Sequence, residues 1–374
     1  MMSDTGSLIF YLSFFAISAL LVYAGNTVNS KTITAIGVLI PALIAALRNN
    51  VGTDYLSYVH MFETLSDLSF SEYISSSSIE IGFYLFAQIA KLLDGNHFLF
   101  LAMPAILTVI LYYRGILKFS GKATWFVWLL YLIVIFPINI NQVRQGLSMA
   151  IALHAFFYLL NGKIIKSIGI LLIASLFHFS SLLFIPMILL VHWVRSSKVV
   201  ASSQLRYLMV CILAFVSIIG LRVFAGQILH LDDSSSLIKT GFNIIEQSQL
   251  IVYIILFYLM QINQRRQAER EDIGLLLLAT LVPVLAVTGV FFETYERVAL
   301  FVLPFQFILL AKLVSGTRVM NIYRKQALAA TVILVCLAPI TIMYIKSVYM
   351  EQPWIFPYYF MWENVPYIPH EKLI

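Results

Sequence analysis

Charge is what this chain has least of. Asp, Glu, Lys and Arg make up 11% of 374 residues, against about 25% in a soluble domain. With 61% hydrophobic residues and a mean hydropathy of +0.91, the composition excludes a soluble enzyme and predicts an all-α polytopic membrane protein. Cysteine is nearly absent. Cys211 and Cys336 each sit inside an apolar run, which argues against a disulfide or a metal site. No P-loop, GxGxxG or HExxH pattern occurs, and no Asp-x-Asp stands in any loop, so a cytoplasmic transferase using nucleotide sugars is disfavoured. The net charge of +6 does not imply nucleic acid, because excess Lys and Arg in a membrane protein mostly reports orientation. The opening MMSDTGS has no positive n-region, and residues 8–24 read as a first span and not as a cleaved signal.

Apolar runs predict about 12 membrane segments, near 8–24, 32–47, 97–114, 123–140, 145–160, 167–178, 180–194, 206–226, 248–263, 273–291, 297–314 and 327–345. The pair around His178 reads as two short spans or one bent helix. Residues 79–93 are too short and polar for a span and are taken as a re-entrant or interfacial helix. The whole chain, 1–374, reads as a single transmembrane domain without a repeat of fixed period. Its large external loops are expected near 48–96 and 227–247. The aromatic, proline-rich tail is expected along the outer interface.

With the N-terminus outside, the inner loops collect Lys31, Arg114, Lys118, Lys122, Lys163, Lys166, Arg195, Lys198, Arg206, the arginines of 265–270 and four more of 312–325. Most of the 24 basic residues thus fall inside, joined there by only three acids, Glu269, Glu271 and Asp272. If 79–93 were a true span, residues 48–78 would face the cytoplasm instead. Arg48, Lys91, Arg144, Arg222 and Arg297 break the inside bias, which marks them as candidates for function.

Four stretches carry the chemistry. In RNNVGTDYLSYVHMF, Gly52 permits a sharp turn, Thr53 or Asp54 can cap a helix, and Tyr55 and Tyr58 share one of its faces. Tyrosines beside a carboxylate suit a sugar, the rings covering apolar faces and the acid accepting from hydroxyls. The plainer alternative is an amphipathic interfacial helix with Arg48 snorkelling. In FPININQVRQGLSMAIALHAF, Pro137 and the asparagines are expected to break one helix, and Gln142, Arg144 and Gln145 to open the next. Free N–H groups and an arginine fork there fit a phosphate. In SLFHFSSLLFIP, His178 lies between two apolar runs, where a histidine needs a partner and has the proton affinity of a general base. It equally suits a packing role at a bend. In FFETYERVALF, Glu293 and Arg297 have ion-pair spacing, and Arg297 is a second candidate phosphate ligand.

RNNVGTDYLSYVHMF, NQVRQGLSMAIALHAFFYL, LFHFSSLLFIP and YERVALF, in this order over nearly the whole chain, resemble the EpsG family of exopolysaccharide polymerases, similar in role to Wzy O-antigen polymerases. The resemblance implies a multi-pass enzyme of the bacterial plasma (inner) membrane with an outward-facing site. It would join undecaprenyl-diphosphate-linked oligosaccharides, among membrane lipids and other polysaccharide-assembly proteins. Residue roles follow from the chemistry and not from the family. Arg144 and Arg297, with Arg48, would hold the donor diphosphate. His178 or Asp54 would take the acceptor proton, with inversion at the anomeric carbon and no cofactor or metal. The competing readings are a flippase for the same lipid-linked unit, a membrane O-acyltransferase using His178, and a ligase of nearly the same chemistry. A flippase is expected to line both faces with polar groups and to carry inverted repeats, and neither is evident here.

Overall fold

The structure is a computed structural model. It describes residues 3–93 and 95–196, the helix 293–315, the segment 355–363 and isolated positions between 275 and 348. The described residues are nearly all helical and form no strand, only an isolated antiparallel bridge between Arg48 and Phe360. The segments expected at 206–226 and 248–263 and the external loop at 227–247 lie outside the described residues, as do Cys211, Arg222 and Cys336.

Three helical runs among the described residues are long and apolar enough to cross a bilayer: Asp4–Thr27, His97–Asn141 and Val143–Leu160. Shorter apolar helices accompany them, including Lys31–Ala46, Ile81–Leu92 and Ile164–Ser175. In chain order the helices are α1 (Asp4–Thr27), α2 (Lys31–Ala46), α3 (Tyr55–Asp67), α4 (Phe70–Ser76), α5 (Ile81–Leu92), α6 (His97–Ser120), α7 (Thr124–Leu130), α8 (Phe136–Asn141), α9 (Val143–Leu160), α10 (Ile164–Ser175), α11 (Phe184–Ser196) and α12 (Glu293–Ser315). Their starts obey local chemistry: Ser3, Ser30 and Asn96 accept from the first-turn amides of α1, α2 and α6.

Small residues and internal hydrogen bonds hold the bundle where apolar lipid offers no hydrophobic drive. α1 and α2 meet at Gly25 and Gly37. Ser18 on α1 donates to Gly37 O at 2.6 Å and accepts from Trp128 Nε1 at 2.9 Å, tying α7 to the same pair. Ser167 of α10 donates to Ala155 O of α9 at 2.8 Å, so the hydroxyl spans two helices.

Pro137 and the asparagines were expected to break one helix; the chain passes the proline and breaks just after Asn141. The proline sits in the first turn of α8, preceded by a π-helical segment, Tyr131–Ile135. The wider i→i+5 pattern accommodates the hydrogen bond that proline cannot donate. The break comes at Gln142, whose ψ of 67° leaves helical space before α9 begins. The run around His178 resolves as two packed helices, α10 and α11, joined by a 3-10 turn, Phe179–Leu183.

The helices alternate in direction, so the loops sort to two ends. One end holds 48–58, 80–82, 139–146, 176–180 and the strap 355–363. The other carries lysines, with Lys118 Nζ 5.0 Å above the Phe157 ring and Lys166 Nζ 6.0 Å above Tyr158. α12 joins in the same sense. Phe301 packs 4.8 Å from Phe184 at the start of α11, and Phe305 packs 5.4 Å from Phe119 near the lysine end. Its first turn, with Glu293 and Arg297, therefore points toward the polar end.

Candidate functional site

Glu80 organises the site, and it escaped the sequence reading. It immediately precedes α5 and is 4% exposed at its side chain. Arg144 Nη1 donates to Glu80 Oε2 at 2.7 Å, and His178 Nδ1 donates to Glu80 Oε1 at 3.0 Å. The Phe179 amide adds a third bond to Oε1 at 3.3 Å. One buried carboxylate thus joins residues 64 and 98 positions away. Arg144 and His178 keep 31% and 25% of their side chains exposed, so the acid is enclosed while both partners reach the surface. Burial alone would raise the Glu80 pKa. The hydrogen bond from His178 and the Arg144 charge outweigh it and hold the carboxyl below the usual range.

Two close approaches place these groups. Gly82 N donates to Leu176 O at 2.7 Å, which docks the start of α5 on the turn before His178. A Cβ at Gly82 would lie 2.7 Å from that carbonyl oxygen and run into the Phe177 ring. Ser148 then donates to Ala174 O at 3.0 Å and lies 3.4 Å from His178 O, which ties the histidine turn to α9, the helix that carries Arg144.

The glycine turn docks on the same helix junction. Gly52 has φ +103°, and a Cβ there would meet Asn141 Oδ1 at 2.9 Å. That oxygen accepts from Thr53 Oγ1 at 3.0 Å and from the Asp54 amide at 3.1 Å. Asp54 precedes α3 but makes no side-chain cap bond; Asn141 takes its backbone N–H instead. The expected helix of Tyr55 and Tyr58 is α3, but both residues are buried, at 3% and 5% exposure. Tyr58 packs beside Phe83 and Tyr55 meets the His97 ring edge-on, so the two rings face protein and not an open sugar platform. The Arg144 amide lies 3.5 Å from Tyr58 OH, which joins α3 to the arginine.

The remaining predicted residues are distributed as follows. Gln142 is half-buried with its Oε1 unpartnered among the described residues, and Gln145 is buried. Arg48 is buried, not snorkelling, with Tyr11, Tyr55, Tyr58 and Tyr358 close enough to affect its charge. Burial pushes the Tyr55 phenol near it up to about 12, so that ring stays neutral. Glu293 and Arg297 lie on the first turn of α12; their side chains are outside the described residues.

Sequence signals found His178 as a polar group between two apolar runs, Arg144 as part of a polar helix start, and Asp54 as part of a glycine turn after a span. Glu80 stands just after the serine run 75–78, in a segment read only as a re-entrant or interfacial helix. The only hint was the demand for a counter-charge that Arg144 and His178 shared.

No curated protein and no solved structure matches the chain. A family model does, the EpsG family, over residues 31–360. That match spans all four stretches that build the polar end, and the chain belongs to the EpsG family of polysaccharide-biosynthesis membrane proteins.

Proposed function

We propose that the protein is a polysaccharide polymerase. It transfers a glycan from undecaprenyl diphosphate to a second lipid-linked unit at the outer face of the bacterial plasma membrane. The single observation that carries this reading is the Glu80 bridge between Arg144 and His178 at the polar end of an apolar bundle. Family membership gives the substrate class, and the lysines gathered at the opposite end support the orientation.

The chemistry follows from the geometry. With Nδ1–H committed to Glu80, the neutral imidazole presents Nε2 as a base. It takes the proton of an acceptor hydroxyl as that oxygen bonds to the anomeric carbon. The bond from that carbon to the diphosphate oxygen breaks, and the electron pair leaves with the diphosphate. Arg144 neutralises the charge that develops on the diphosphate, with Arg297 on α12 as the second ligand. The Glu80 carboxylate stabilises the imidazolium once formed, as an acid behind a catalytic histidine does. Direct displacement inverts the anomeric configuration, and the arginines supply the neutralising charge. Asp54 and Asn141 line the same end and suit hydroxyl recognition. We further propose about 12 membrane segments for the whole chain.

The test is Arg144→Ala in a strain lacking the native copy. Polymer should fall by about a hundredfold or more, and single lipid-linked units should accumulate on the outer face, with protein still in the membrane. Full-length polymer from that strain rules the assignment out. Units stranded on the inner face would point to a flippase, and full-length polymer lacking acyl groups to an acyltransferase.

A further inference from the structure

Arg48 is 2% exposed, and only Nη1 is bonded, to the Ala45 carbonyl at the end of α2. Nε and Nη2 have no partner among the described residues. A guanidinium stays charged at every pH the protein meets, and a buried charge without a counter-ion is strongly unfavourable. The phenols of Tyr11, Tyr55, Tyr58 and Tyr358 surround it. They are engaged elsewhere: Tyr11 OH donates to Ile355 O, Tyr358 OH to Ile44 O, and Tyr55 OH to Asn49 Oδ1. None is a counter-ion. Tyr58 accepts from the Arg144 amide and keeps its own proton for a further acceptor.

The strap 355–363 closes this place. Asn49 N donates to Tyr359 O at 2.8 Å and Met361 N to Leu47 O at 2.7 Å, so the strap is bonded to the residue on each side of Arg48. Asn49 Nδ2 adds a bond to Glu363 O at 3.0 Å. Trp362, 66% exposed, stacks on Phe360 at 4.6 Å and marks the outer surface of the cover.

We propose that Arg48 and the strap form a covered seat for a phosphate group carried on a lipid, bound by Nε and Nη2 with Tyr58 OH donating. This deepens the polymerase reading, whose substrates carry that group. A phosphate offers the several acceptor oxygens that a free guanidinium edge needs. The simpler role is a cap on the last carbonyls of α2, which uses Nη1 alone and leaves the two other nitrogens unexplained.

The test uses the full chain in phosphatidylcholine nanodiscs, as wild type, Arg48→Met and Arg48→Lys. Undecaprenyl diphosphate, inorganic pyrophosphate and phosphatidylglycerol are added separately, and Tm and amide exchange at Asn49 and Met361 are read. Undecaprenyl diphosphate should raise Tm and slow exchange at both amides. Binding should weaken at least about tenfold in Arg48→Met, with Arg48→Lys between. Without ligand, Arg48→Met should unfold no earlier than wild type, because an unpaired charge has gone. An equal response to phosphatidylglycerol supports the seat and assigns it to bulk lipid; an equal response to pyrophosphate supports it and assigns recognition to the phosphate alone. The seat is overturned if no probe protects the strap, or if Arg48→Met unfolds earlier and binds as wild type does. A chain that binds diphosphate through Arg48 yet transfers no sugar defeats the polymerase reading and leaves the seat standing.

Discussion

Glu80 shows at the level of one residue why a buried acid matters in a chain so poor in charge. Replacing Glu80 by Gln keeps the shape but removes the charge that Arg144 and His178 share, and should cost about 2 kcal/mol. Because its folded pKa is depressed, the contribution is complete above the ordinary carboxyl value of 4.5 and is lost as pH falls through the lower folded value. Thermal unfolding of wild type and Glu80→Gln in detergent should therefore differ most near neutrality and converge in acid. A gap that stays constant from pH 7 to 3 would show that Glu80 carries no such charge-dependent bond. The residue was illegible in the sequence for a physical reason: a lone carboxylate shows nothing of partners 64 and 98 positions away. His178 was legible because a polar group between apolar runs must be satisfied, and Arg144 because it belongs to a polar helix start.

Among the elements, hydropathy located helices better than it located faces. The expected segments at 32–47 and 145–160 lie within a few residues of α2 and α9, and residues 79–93 form the short helix α5. Helices apolar all round carry no stripe to say which side packs, so the meeting of α3, α5, α9 and α10 was not readable. Local chemistry overrode two expectations. The π-helical segment carried the chain past Pro137, and the Asp54 side chain caps no amide of α3, while Asn141 accepts from the Asp54 amide itself. The side of the membrane is an element-scale question that α3 answers. Ser57 is exposed on that helix. A single cysteine there, with Cys211 and Cys336 replaced, should react with a membrane-impermeant maleimide in intact cells. Labelling only after permeabilisation would place the glycine turn, and Glu80 with it, in the cytoplasm.

Across the whole molecule, the bundle separates two ends, one of lysines and one that holds the bridged polar groups and the strap. Composition made the all-helical membrane class legible, and four short stretches made the family legible. That the stretches converge was not readable, because convergence depends on alternating helix direction and on close approaches such as Gly82 to Leu176. The central claim is that this end joins lipid-linked glycans with His178 as base. The most direct measurement is turnover by the purified full chain given a defined undecaprenyl-diphosphate-linked repeat unit. The account predicts one undecaprenyl diphosphate released per new glycosidic bond, an inverted anomeric centre, and a rate at least about a hundredfold lower in His178→Ala. Release of diphosphate without a new bond, a retained configuration, or an unchanged His178→Ala rate would contradict it.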